Sequence, residues 1–124
     1  MVMSSNNPDR AVVLCASSSY EEKYYFNQEF AGLPEPVKEE LNIMCVLYTA
    51  EIGGILTLQF GVDGRLFLNV TSREDDFWFD EIGSVLKIKQ IQSEKRELLE
   101  ALELYYCIKF LKQERRGQKH VISS

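Results

Sequence analysis

Glu74, Asp75, Asp76, Asp80 and Glu81 crowd around the aromatic triplet Phe77-Trp78-Phe79. Paired carboxylates at such spacing can do general acid–base work or hold a divalent cation, the chemistry of a cation-dependent enzyme. The pattern is not a calcium loop. The D-x-D-x-D-G alternation with its terminal Glu is missing, and Phe and Trp stand where oxygen ligands are needed. Two non-catalytic readings use the same residues. Acids suit the positive end of a helix beginning near Glu81, with Asp80 as its cap. Acids beside an exposed Trp also make a contact patch for a basic partner, centred on Asp76, Trp78 and Asp80. That is the chemistry of a small acidic immunity-type or inhibitory protein.

No other constellation converges. His120 is the single histidine and lies in a polar C-terminal segment, so no Ser-His-Asp or Cys-His set can be drawn. Gly53-Gly54 and Gly61-x-x-Gly64 match neither G-x-G-x-x-G nor a phosphate-binding loop and read as turns. Cys15, Cys45 and Cys107 are odd in number, far apart and set among apolar neighbours. They read as buried free thiols rather than disulfides or zinc ligands. No cofactor is implied.

The elements that would position these residues follow from periodicity. Ala11–Cys15 is a short apolar run, and Tyr24, Tyr25 and Phe26 form a β-favouring cluster that can pair back on it. Pro34 and Pro36 set up a helix in which Val37, Leu41, Met44, Cys45 and Tyr48 fall at helical spacing, closed by Gly53-Gly54. Ile55–Phe60 and Arg65–Thr71 flank Gly61-Val62-Asp63-Gly64, the clearest hairpin signal in the chain. Phe77-Trp78-Phe79 reads as one more short strand.

Ser93 to Lys112 is almost all strong helix formers, with Leu98, Ala101, Leu102 and Tyr105 on one stripe. From Leu104 to Leu111 it is apolar on nearly every side, so it must be covered by its own sheet or by another subunit. Tyr105 and Tyr106 point about 100° apart on a helix, so both cannot face one sheet. With Phe110 they are the expected contact residues of a homodimer. An unbroken helix over 84–114 would be about 45 Å long, against a domain only ~35 Å across. Either it breaks near Gln90–Ser93, or its end projects towards a partner.

The expected fold is α+β in the order β-β-α-β-β-β-α: an antiparallel sheet packed by a central helix and a long C-terminal helix. Apart from a missing first helix, this order matches the profilin-like layout of roadblock-type modules. Residues 11–114 form the domain, between unstructured tails at 1–10 and 115–124. The chain has 124 residues, 45% hydrophobic and 11% aromatic, which suits one globular core. A net charge of −5 disfavours nucleic acid and anionic membranes as partners. Residues 1–7 do not read as a signal peptide, and no apolar run approaches the ~20 residues of a membrane helix. The expected compartment is the cytoplasm.

The segments KYYFNQEFAGLPEPVKEELNIMCVLYTAEIGGILTLQF (residues 23–60) and FDEIGSVLKIKQIQSEKRELLEALELYY (residues 79–106) resemble a small family of bacterial proteins of unknown function. The resemblance covers residues 11–112. It implies a single-domain cytoplasmic protein of anaerobic Gram-positive bacteria, and it brings no activity, cofactor or catalytic residue. The leading expectation is therefore a non-enzymatic interaction or regulatory module, homodimeric, binding itself or another protein. The acidic binder of a basic partner and the cation-dependent enzyme follow as alternatives.

Overall fold

The computed structural model describes residues 11–111. The expected tails, His120 and the basic residues Lys112, Arg115, Arg116 and Lys119 lie outside that range. β1 (Val12–Ser18) and β2 (Lys23–Phe26) form an antiparallel hairpin. β1 also pairs with β3 (Ile55–Phe60), and β3 with β4 (Leu66–Thr71), giving an antiparallel sheet ordered β2-β1-β3-β4. Register partners share a face. Cys15, Ser17, Tyr24, Phe26, Leu56, Leu58, Phe60, Leu66, Leu68 and Val70 therefore line one side, which is the core. A register shift between Val13 and Cys15 lets both Leu14 and Cys15 be fully buried, as a bulge allows.

α1 (Glu35–Glu51) begins with Pro36 in its first turn, where a missing N–H costs nothing. It lays Leu41, Met44, Cys45 and Tyr48 on the sheet. The chain leaves it through Gly53 and Gly54 at φ 94° and 75°, values that disfavour any side chain. At Gly54 a Cβ would also stand 2.7 Å from both the Thr71 carbonyl and the Phe79 ring. The Asp63-Gly64 turn joins β3 to β4 as its sequence predicts, with Gly64 at φ 88°.

α2 (Glu81–Glu94) runs antiparallel along α1. The Tyr48 and Ser84 hydroxyls are hydrogen-bonded at 2.7 Å, and Lys87–Glu51 and Lys95–Glu40 ion pairs lie further along. The helix breaks at Lys95 (φ −106°, ψ 24°), just beyond the expected interval, and resumes as α3 (Arg96–Tyr106). The buried stripe of α3 is Leu99, Leu102 and Tyr106, with Leu98 and Tyr105 half-buried; Ala101 is exposed, contrary to the sequence reading. A π-helical turn, Cys107–Leu111, ends the described chain against the β3–β4 turn.

The observed order is thus β-β-α-β-β-α-α, an α+β fold with four strands. Phe77-Trp78-Phe79 is a turn, not a strand. The Asp76 carboxylate accepts the Trp78 N–H at 3.1 Å, giving the backbone a local bond in place of a strand ladder.

Candidate interaction surface

The acidic loop is built by its own carboxylates. Asp76 Oδ2 accepts the Tyr20 hydroxyl at 2.6 Å, and that hydroxyl accepts the Arg73 N–H at 3.0 Å. The Arg73 guanidinium lies 4.3 Å above the Tyr20 ring, a cation–π contact. The bond to Asp76 is the main cause holding the Tyr20 phenol above its ordinary range, because phenolate would lose the acceptor. Asp80 caps α2, its carboxylate accepting the Gly83 N–H at 2.8 Å. Asp76 and Asp80 therefore both have local backbone or side-chain donors to satisfy. Among the described residues no group of three or more His, Cys, Asp or Glu side chains could hold a metal ion. Glu74, Asp75 and Glu81 point into solvent.

Phe79 packs on Gly53 and Gly54 and anchors the loop to the end of α1. Its two neighbours are turned outwards: Phe77 is 88% and Trp78 94% exposed. α2 continues that surface. Ser84, Ile88 and Ile91 form its inner stripe, while Ile82, Val85 and Leu86 lie on the opposite side and are 76%, 55% and 62% exposed. A helix with an apolar stripe on its solvent side has a covered face still to find. On α1, Ile43 and Leu47 are 58% and 60% exposed and border a groove of about 420 Å³ between the two helices. Met44, Tyr48 and Ile91 help line it, and the Lys87–Glu51 and Lys95–Glu40 pairs span the helices beside it.

The C-terminal candidates sit elsewhere. Tyr106 is 5% exposed and stacks on Phe60, ring centroids 4.2 Å apart and planes nearly parallel. Phe110 is half-buried, 5.1 Å from Phe30 and 5.0 Å from Tyr106. Tyr105 is half-buried over Gly32 and Phe30. These rings close this chain's own core, and only Leu104 and Ile108 of the all-round apolar stretch remain largely exposed. Of the predicted contact residues, Trp78 is the one presented to solvent as a large apolar side chain.

Ile43, Leu47, Ile82, Val85 and Leu86 were not picked out from the sequence. The legible signal was an excess: both helices carry more apolar residues than one buried stripe can use.

The chain belongs to a family of unknown function (DUF6145), whose model matches residues 11–114. No curated protein and no solved structure matches it.

Proposed function

We propose that this member of the family is a non-enzymatic protein-interaction module that works as a homodimer. Two copies would meet through the outward face of α1 and α2, extended by Phe77 and Trp78. The reading rests on one observation, the number of large apolar side chains that α1, α2 and the loop before α2 leave in solvent: Ile43, Leu47, Phe77, Trp78, Ile82, Val85 and Leu86. At about 200 Å² for an aromatic and somewhat less for an aliphatic side chain, these exposures sum to roughly 800–900 Å². A standard interface removes about 800 Å² from each partner, so these side chains together carry enough exposed area for half of one. An antiparallel helix pair is also a natural self-complementary surface, since a two-fold axis across it makes a four-helix layer.

Absolute molar mass by light scattering over a hundredfold concentration range tests this. The expected result is twice 14.3 kDa at the upper end. A monomer throughout would overturn it. Salt discriminates the second reading, a basic partner held at Glu74, Asp75, Glu81 and Trp78. Two chains of charge −5 repel, so salt should strengthen self-association, whereas it would weaken capture of a basic protein.

A cytoplasmic location goes with this reading. No described helix is long and apolar enough to cross a membrane. Cys15, Cys45 and Cys107 are all free, as a reducing compartment keeps them.

A further inference from the structure

The interior holds a cluster of reactive groups that the helical surface does not use. Cys15 on β1 and Cys45 on α1 are both fully buried, with their sulfurs 3.8 Å apart. Two residues along the strand and one turn along the helix, the Ser17 and Thr49 hydroxyls are hydrogen-bonded at 2.8 Å. Tyr24 stands opposite Ser17 in the register, with its hydroxyl buried. That hydroxyl interacts with both thiols, and with Cys15 by hydrogen bonding as well as by charge. A cleft of about 520 Å³ between the β1–β2 hairpin and α1 is lined by Ser17, Tyr24 and Thr49, so this polar cluster meets the outside there.

We propose that Cys15 and Cys45 are an oxidisable dithiol whose co-substrate is hydrogen peroxide admitted through this cleft. A peroxide oxygen at Tyr24 would stand beside Cys15, the thiol that the Tyr24 hydroxyl approaches. The Cys15 sulfur attacks one peroxide oxygen, the O–O bond breaks, and the departing hydroxide takes the thiol proton and leaves as water. The resulting sulfenic acid is then attacked by the Cys45 sulfur. The S–S bond forms, the S–O bond breaks, and the Cys45 proton leaves with the hydroxide as a second water. Two thiols are oxidised to one disulfide, and one peroxide is reduced to two waters.

Cys15 attacks first because it is the thiol next to the hydroxyl of Tyr24, which lines the cleft. The bond from Cys45 holds Cys15 below its ordinary value, whereas the same bond and burial push Cys45 up. The sulfurs need only close from 3.8 Å to about 2.05 Å. The product would staple the central strand to α1 across 30 residues of chain, a link absent from the reduced unfolded state. In a reducing compartment such a link is reversible and reports on oxidant.

The test uses the full chain carrying Cys107→Ser, treated with hydrogen peroxide, quenched, unfolded and alkylated, then weighed intact. The expected result is joint loss of both alkylation sites and one cross-linked peptide pair containing Cys15 and Cys45. Its rate should rise linearly with peroxide, and the product should melt several degrees higher than the reduced chain. Two outcomes overturn the proposal. One is thiols that stay alkylatable at peroxide concentrations that oxidise Cys107 in the native sequence. The other is a rate that levels off at the global unfolding rate, since the pair is then reached only by unfolding.

Discussion

Leu86→Ala is the sharpest perturbation of the proposed dimer. Leu86 lies on the outward stripe of α2, with 62% of its surface in solvent. Burying a whole leucine side chain is worth about 1.5–3 kcal/mol, so covering the part still exposed is worth about 1–2 kcal/mol in each copy. A two-fold interface contains the residue twice. The substitution should therefore weaken association by about 2–4 kcal/mol, or roughly thirty- to several-hundred-fold in the dimer dissociation constant. The isolated chain should scarcely notice. Alanine is an excellent helix former, and an exposed substitution away from caps and core changes stability by about 0.5 kcal/mol or less. Sedimentation velocity across a dilution series gives the dissociation constant, and urea unfolding at a concentration where the chain is monomeric gives the control. A dissociation constant unchanged within about threefold, with the fold intact, would refute the placement of the interface, because threefold is under 1 kcal/mol.

Other consequences follow from the loop and the interior. Asp80→Ala removes the α2 cap to the Gly83 N–H and should cost about 1 kcal/mol, read from the urea midpoint. Gly54→Ala places a Cβ 2.7 Å from the Thr71 carbonyl in left-handed backbone, and should cost about 2 kcal/mol or more in the same assay. Burial raises the phenols of Tyr24 and Tyr48, so their folded pKa values lie above the unfolded value of about 10. Their contribution is complete below about pH 10 and is lost as pH rises beyond it, because only the unfolded chain then releases the protons. Urea midpoints should fall above that pH. In Tyr48→Phe they should fall less steeply, from a start about 1–3 kcal/mol lower because Ser84 loses its partner.

Where an element is specified by near neighbours, the sequence alone was enough. Asp63-Gly64 between two alternating runs makes the β3–β4 hairpin, because the turn needs positive φ at Gly64 and both flanks bury alternate residues. Pro36, the 37-41-44-45-48 spacing and Gly53-Gly54 do the same for α1. The order of strands and helices followed, apart from 77–79 and the break at Lys95 that makes two helices of the expected C-terminal one. At 77–79 three aromatics suggested a strand, and the Asp76 side chain instead bonds the Trp78 backbone in a turn that leaves two rings pointing outwards.

What only the tertiary structure decided depends on partners distant in the chain. Residues 104–111 are apolar nearly all round, and nothing local chooses which sides are covered. Phe30 and Phe60, brought from elsewhere in the sequence, select Tyr106 and Phe110 and leave Leu104 and Ile108 outside. The same holds for the proposed contact surface. Ile43 and Leu47 belong to one helix and Ile82, Val85 and Leu86 to another, and which sides of the two helices stay exposed is set by how they pack on the core and on each other. The thiol pair arises likewise, from one residue of a strand and one of a helix 30 positions on. Local periodicity records how much apolar surface each element carries; which part of it stays in water is set by the packing of elements that periodicity does not relate.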